Sequence, residues 1–268
     1  MCRLLEVSKQ GYYDWRKRPK SRLALRHEYL TNEILKVFKK HHGRYGSPRV
    51  AKELYDKGIE TNKRVVARLM RDNNLIAKGY HRRKASYEKP KDIETIVKEN
   101  LLLRNFDSEK VDDIWVTDIT YISCSDGRLY LSTYIDLATR IPRFFKISTN
   151  MKKHIVSDPL KYYTDTLPNY IHSDRGPQYR SYDYQDLLEK FNIQHSMSAP
   201  GTPVDNAVIE SFHKTIKREL IYPNKRKTKS EMRVLIENYL GDYYTNERIH
   251  TKFMTTPLKE EERLRELN

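Results

Sequence analysis

The chain has 268 residues, 38% of them hydrophobic and 32% charged, enough for one large domain or two modest ones. Lys and Arg number 51 against 36 Asp and Glu, a formal charge of +15 that favours a polyanionic partner over a small metabolite, although a solvated basic surface gives the same count. Two distant cysteines, Cys2 and Cys124, exclude a disulfide framework and a cysteine-rich zinc site, and no apolar run is long enough to cross a membrane.

Arg3, Glu6 and Lys9 interrupt any signal-peptide core at the N-terminus, so the expectation is a cytosolic protein. Residues 1–85 read as a helical region. One helix is predicted from about Glu28 to His41, with Leu30, Ile34 and Phe38 four apart on one face. After Gly43-Arg44-Tyr45-Gly46, Ser47 as cap and Pro48 in the first turn predict a second helix that ends at Gly58, with Val50 and Leu54 facing inward. Thr61 opens a third, whose apolar side is Val65, Val66, Leu69 and Met70. Arg64, Arg68 and Arg71 form one exposed stripe on it at i, i+4 and i+7. Helix, glycine-containing turn and basic helix is the layout of a helix-turn-helix DNA reader, and also of a plain three-helix bundle with a solvated basic face. His41 and His42 lack a cysteine pair at zinc-finger spacing and read as helix-end residues.

A linker is expected over residues 86–107, and the run His81-Arg82-Arg83-Lys84 before it can touch phosphates or lie in water. The texture then changes. WVTDITYIS predicts a strand, Asp126-Gly127 a hairpin turn and RLYLSTYIDL the returning strand, with a third over Arg143 to Ile147. Residues 151–165 look helical apart from Pro159. Asn169 to Ser173 and Ile193 to Met197 read as short strands on either side of a helix over 181–190. From Pro203 a long helix is predicted, with Thr202 as cap and Asp205 completing an approximate capping box. Three antiparallel strands followed by alternating helix and strand indicate an α/β domain with a mixed sheet over residues 108–222, and 223–268 read as a helical extension.

Three carboxylates stand out. Asp118 interrupts an apolar strand, where burial is costly unless a metal ion compensates. Asp174 lies where a strand gives way to a loop, the place where open α/β sheets gather their sites. Glu210 shares a helix with the core stripe Ile209, Phe212, Ile216 and Leu220, on a neighbouring stripe with Lys214 and Lys217. Taken singly, Asp118 reads as a strand-end residue, Asp174 as a turn former and Glu210 as an i,i+4 partner of Lys214. Together, an acid that can bind metal and lysines that can hold phosphates are what phosphoryl transfer on a polyanion requires. His172, Ser173 and Arg175 can orient Asp174 or contact phosphate. Asn206 can meet DNA or brace its loop, and the basic run Lys225 to Lys229 can track DNA or lie in solvent.

The strings WVTDITYI, HSDRGPQY and DNAVIESFHKTIKREL, with 35 residues between Asp174 and Glu210 and a lysine (Lys217) seven positions after the glutamate, resemble the DDE transposases of the insertion-sequence-three family, in particular their second-frame product. KKHHGRYGSPRVAKEL resembles the family's N-terminal helix-turn-helix region, and YYTNERIHTKFMTTP its C-terminal Tyr-Asn-x-x-Arg-x-His signature. This resemblance implies an RNase H-like core whose Asp118, Asp174 and Glu210 hold two Mg²⁺ ions, with Mn²⁺ as a substitute. It implies cleavage of element ends and transfer of the freed 3′-hydroxyl to target DNA, through a copied circular intermediate. Lys217, Lys214, Asn206, Arg175, Arg64, Arg68 and Arg71 are the expected DNA contacts. Expected partners are double-stranded DNA (terminal repeats and target), further copies of the chain, and a first-frame protein or fusion, with no membrane and with residence at the bacterial chromosome. A non-catalytic DNA-binding regulator and a purely hydrolytic nuclease are the competing readings.

Overall fold

The computed structural model describes residues 8–78, 98–102, 106–152, 154–163, 165–199 and 203–267. The chain divides into two compact units, Met1–Lys78 and Gly79–Asn268. The basic run at 81–84 and the proposed cap Thr202 lie outside the described residues.

The first unit is helical: α1 (Lys9–Lys17), α2 (Arg22–Lys40), α3 (Ser47–Asp56) and α4 (Lys63–Asp72). α2 begins at Arg22 rather than near Glu28 because Ser21 accepts the Ala24 N–H at 3.1 Å and so satisfies an otherwise orphaned donor. Two expected caps move by one residue. Gly46, not Ser47, caps α3 and makes no side-chain bond, whereas Asn62, not Thr61, caps α4, its Oδ1 accepting from Arg64 and Val65 at 3.0 Å. Gly58 ends α3 with φ +74°, a left-handed turn that only glycine takes without strain. Leu30, Ile34, Val37, Val50, Leu54, Val66, Leu69 and Met70 form the core, and Phe38 is only half-buried because Val37 points inward.

His41 does more than end a helix. It is 1% exposed, stacks on Tyr45 at 3.8 Å and meets the Glu53 carboxylate at 2.5 Å, which staples α2 to α3. Burial pushes the Glu53 carboxyl up, but the hydrogen bond and charge of His41, with Lys40, override it and bring it down to about 2.

In the second unit β1 (Ile114–Cys124), β2 (Gly127–Asp136) and β3 (Pro142–Ser148) form an antiparallel meander. β4 (Tyr170–Ser173) and β5 (Gln194–Met197) continue the sheet in parallel with β1, giving the order β3-β2-β1-β4-β5. Helices α5 (His154–Tyr162) and α6 (Tyr182–Lys190) precede β4 and β5. A 3₁₀ turn (Pro203–Asn206) leads into α7 (Ala207–Ile216), which continues as a π-helical turn (Lys217–Ile221). The remaining helices are α8 (Lys229–Asn238), extended by a π-helical stretch (Tyr239–Glu247), and α9 (Pro257–Leu267). The sheet is covered on both faces, as alternation along β1 dictates: Val116 and Ile122 join Ile209, Phe212, Met232 and Ile236 on one side. Trp115 joins Tyr134, Leu160, Ile171 and Tyr184 on the other. A five-stranded mixed sheet of this order between helical layers is RNase H-like.

The helix expected over 151–165 forms as α5 with Pro159 inside it, buried, at the cost of the bond to the Ile155 carbonyl. A Lys146–Asp158 ion pair ties it to β3. The long helix expected from Pro203 is broken at both ends. Asp205 completes no capping box; its Oδ2 accepts from the Ala199 N–H and Asn100 Nδ2, both at 3.1 Å. Residues 223–268 pack into this same unit, and Arg143 joins Asp112 to Glu261 of α9.

Candidate active site

The pairing of β1 with β4 creates the site. It runs in parallel from Ile114↔Tyr170 to Val116↔His172 and then stops. Carrying the same offset two residues further sets Asp118 level with Asp174, where the strands have parted and side chains can converge. Asp118 Oδ1 accepts its neighbour's N–H (Ile119) at 2.8 Å, and Asp174 Oδ1 accepts that of Gly176 at 2.9 Å. A Cβ at position 176 would stand 2.9 Å from that carboxylate oxygen, so a larger residue forces this loop to shift. Burial and the negative charge of Asp118 push the Asp174 carboxyl up to about 6, against the pull of the Gly176 N–H and Arg180.

A lattice between β4 and β5 holds Asp174 in place. His172 bonds Ser196 Oγ at 2.8 Å and Ser198 Oγ at 3.0 Å, and His195 bonds Ser173 Oγ at 2.9 Å and Gln185 at 2.8 Å. Burial drives His172 down to about 4; burial and the neighbouring His172 drive His195 down to about 3, so both are neutral at pH 7. Arg175 donates from Nε to the Ser198 carbonyl at 2.8 Å, an anchor that leaves its guanidinium half-exposed.

Helix α7 crosses β1 and brings the rest. Glu210 accepts from Lys214 at 3.1 Å, the i,i+4 pair that the sequence also allowed. Among the described residues no three His, Cys, Asp or Glu side chains are gathered closely enough to hold a metal ion. Asp118 lies within electrostatic reach of Asp174, whereas Glu210 is paired with its own lysine. Asn206 is buried; its Nδ2 donates to the Thr117 carbonyl at 3.4 Å and its Oδ1 has no partner among the described residues. Lys217 makes no ion pair among the described residues. Its Nζ lies 5.0 Å from the centre of the Tyr121 ring, and burial lowers its pKa against the raising effect of Asp118.

His213 escaped the sequence reading. It is 5% exposed, its Nδ1 stands 3.3 Å from Asp118 Oδ2, and its buried Nε2 has no partner among the described residues. Its signal was present: position 213 lies four after Ile209 and three before Ile216, inside the sheet-facing stripe where a polar residue needs a polar partner.

The C-terminal signature gains a physical role. Arg248 makes a bidentate pair with Glu219 at 2.9 and 2.8 Å, and the Tyr239 hydroxyl donates to the same carboxylate at 2.8 Å. The guanidinium lies over Tyr244, which packs edge-on against Phe212 of α7. Tyr243 and Tyr244 are buried, Asn246 donates to Asp242 at 2.6 Å, and His250 closes a turn by pairing with Thr255. The signature clamps the continuation of α7. The basic run at 225–229 docks on the β1–β2 hairpin, where the Lys227 carbonyl accepts the Ser125 N–H and the Lys229 N–H donates to Asp126. In the helical unit Arg64, Arg68 and Arg71 are exposed on α4, and Arg68 reaches His27 of α2 at 2.9 Å.

Comparison with known proteins agrees with this architecture. Residues 108–203 and 191–257 match models of the integrase core domain, and 25–84 match that of an HTH-like domain. The transposase for insertion sequence element IS904 of Lactococcus lactis is 36% identical over 86% of this chain and 92% of its own length. Transposase InsF for insertion sequence IS3A of Escherichia coli is 34% identical over 94% and 88%. The simian T-cell lymphotropic virus intasome in complex with PP2A regulatory subunit B56 gamma shows a looser likeness, with TM-score 0.47 and 15% identity over 84% of this chain and 73% of that one. With two integrase-core matches, an HTH-like match and this identity along most of its length, the chain belongs to the insertion-sequence-three family of DNA transposases.

Proposed function

We propose that this transposase cuts the ends of its element and joins them to target DNA through Asp118, Asp174 and Glu210 acting as ligands for divalent cations. The observation that carries the reading is the strand offset that levels Asp118 with Asp174, where burial and then the charge of Asp118 raise Asp174 to about 6. Two carboxylates held side by side repel, and a cation between them relieves that cost. Hard oxygen donors suit Mg²⁺, and also Mn²⁺. Bound there, a pair of such ions supplies Lewis-acid polarisation of the scissile phosphate and stabilises the attacking and leaving oxygens. Water is the first nucleophile and the freed 3′-hydroxyl the second.

The protein's own part is to place charge. Asp118 and Asp174 are fixed by strand register and by the β4–β5 lattice. Glu210 joins them by releasing Lys214, which then turns to phosphate alongside Lys217, while Asn206 and Arg175 line the approach. Arg64, Arg68 and Arg71 on α4 supply binding to the terminal repeats. Further copies of the chain, and a first-frame protein, complete the assembly on DNA.

A non-catalytic binder is the second reading, and the closed Glu210–Lys214 pair is the observation that favours it. Cleavage and joining of a labelled element-end duplex, with Mg²⁺ and with Glu210→Gln beside wild type, separates the two. The proposal expects wild type to cut and join and the variant to bind only. Binding without reaction by both, with a first-frame partner supplied, establishes the binder.

A further inference from the structure

Tyr121 is 60% exposed, on a strand whose adjacent Thr120 and Ile122 are buried. Two cations lie against its ring: Lys217 Nζ at 5.0 Å from the centroid and the Arg128 guanidinium at 5.8 Å. Neither cation makes an ion pair with a carboxylate among the described residues. Lys217 is half-buried as well, and burial lowers its pKa against the raising effect of Asp118, so the cation is held without a direct carboxylate partner among the described residues. Such a place is built for an anion that arrives from outside.

The hairpin register makes the patch a surface. Tyr121 faces Tyr130 and Ser123 faces Arg128, so these four share one face of β1 and β2. Ser123 and Arg128 are exposed and Tyr130 is half-buried. At about 3.3 Å per residue, Tyr121 stands roughly 10 Å along β1 from Asp118. Alternation turns Tyr121 to the face opposite Asp118, but β1–β4 pairing stops at Val116. Lys217 links the two around that open edge, its ammonium over the ring and within electrostatic reach of Asp118. A strand whose phosphate sits at Asp118 can therefore continue onto this face about three nucleotide rises of 3.4 Å on. Phosphate alone needs only the cations. An open ring adds a flat face on which a base can stack, with cation–π support and little regard for sequence. A base inside a duplex has no free face to offer, so the occupant is unpaired.

We propose that Tyr121, flanked by Arg128 and Lys217, is a stacking platform for an unpaired nucleobase of the DNA strand next to the scissile phosphate. The inference rests on the catalytic reading of Asp118, and its test avoids catalysis. Binding is measured in EDTA, using a short single strand that carries the fluorescent base 2-aminopurine, and using its duplex. Wild type and Tyr121→Phe should quench the probe. Tyr121→Ala should lose the quenching and bind the single strand about 5- to 150-fold more weakly, the range of one base–aromatic stack, with duplex affinity nearly unchanged. Arg128→Gln should weaken single-strand binding while some quenching remains. Melting temperatures control for folding, and the exposed ring is not part of the core.

If Tyr121→Ala quenches and binds like wild type, the platform is overturned, and cleavage lost in Glu210→Gln would leave the catalytic reading standing. If wild type quenches through Tyr121 but never cuts element ends, the platform stands and the catalytic reading falls. If wild type neither binds nor quenches, the platform is wrong.

Discussion

The two walls of the proposed active site are built on opposite principles. The strand wall carries Asp118 and Asp174 on short side chains, fixed by backbone register and by the His172, Ser173, His195 and Ser196 bonds behind them. The helix wall carries Glu210 on a longer side chain, one-third exposed and paired with Lys214. The first is preorganised and bears the cost as a raised Asp174 pKa. The second is adjustable. For the proposed site, assembled with cations and DNA, one rigid wall and one movable side chain are an advantage.

The largest effect tests whether the walls act as a unit. Asp118→Asn and Glu210→Gln should each reduce cleavage and joining on the order of 10⁴-fold, the scale reached when one member of an interdependent set is removed. Gel-based cleavage of an element-end duplex measures it. The double variant should be no worse than either single one. If Glu210→Gln loses far less than Asp118→Asn, the helix wall is not part of the metal set.

Next comes the anchorage of the helix wall. Arg248→Ala leaves Glu219 buried without its cation, which should cost about 3–5 kcal/mol in denaturant unfolding. Because Glu219 lies on the continuation of α7, the variant should also loosen Glu210 while sparing Asp118 and Asp174. Hydrogen exchange that rises in α7 but not in β1 supports that asymmetry. Equal rises in both sink it.

Much of the strand wall was legible in sequence, because alternation and β-branched residues announce strands, and a lone aspartate in an apolar run calls for an explanation. All five strands followed from local pattern, whereas α1 was not singled out and the long helix expected from Pro203 is several shorter pieces. What local pattern could not give was the partnership between distant residues. The parallel offset that levels Asp118 with Asp174 depends on strand order, and the His213–Asp118 contact depends on how α7 crosses β1. Arg248 and Glu219, 29 residues apart, look like ordinary surface charges until the fold brings them into one buried pair. Helix boundaries moved by a residue or more for a similar reason: Ser21, Gly46 and Asn62 compete with neighbouring caps, and geometry decides.

The joint between the walls is His213. Its Nδ1 lies 3.3 Å from Asp118 Oδ2, so His213→Leu should let Asp118 turn and weaken Mn²⁺ binding about 10- to 100-fold, the usual effect of losing a group that orients a metal ligand. Calorimetry on the DNA-free protein reads this without catalysis. His213→Asn, whose amide can still donate, should recover part of the loss. No change in either variant would make the contact a packing accident.

Acidity tests the strand wall alone, with two slopes of opposite sign. Asp174 is raised in the folded state, so its contribution to stability without metal is complete below 3.8 and lost as pH rises through about 6. A cation that binds the ionised pair should therefore raise the melting temperature more at pH 7.5 than at pH 5, and Asp118→Asn should flatten that difference. His172 and His195 are lowered, so their contribution is present above 6.5 and lost as pH falls through about 4 and about 3. Metal-free wild type should thus lose its β4–β5 protection in acid even while Asp174 gains. A melting shift with Mg²⁺ that is the same at both pH values would mean that the aspartates do not share the cation.

The smallest effect should come from outside both walls. If all chemistry lies in the sheet-bearing unit, the exposed stripe Arg64, Arg68 and Arg71 touches only binding. Arg68→Gln should then weaken element-end binding evenly across sequences and lower the slope of log affinity against log salt by about 1, the value for one lost phosphate contact. The rate of cleavage at saturating DNA should then stay at the wild-type level, since on that premise α4 supplies binding alone. A changed rate at saturation would show that α4 acts on the chemistry after DNA is bound, and the division of labour between the two units would have to be redrawn. A loss confined to particular base pairs would instead make Arg68 a reader of sequence, for which a bidentate contact to guanine is the expected chemistry.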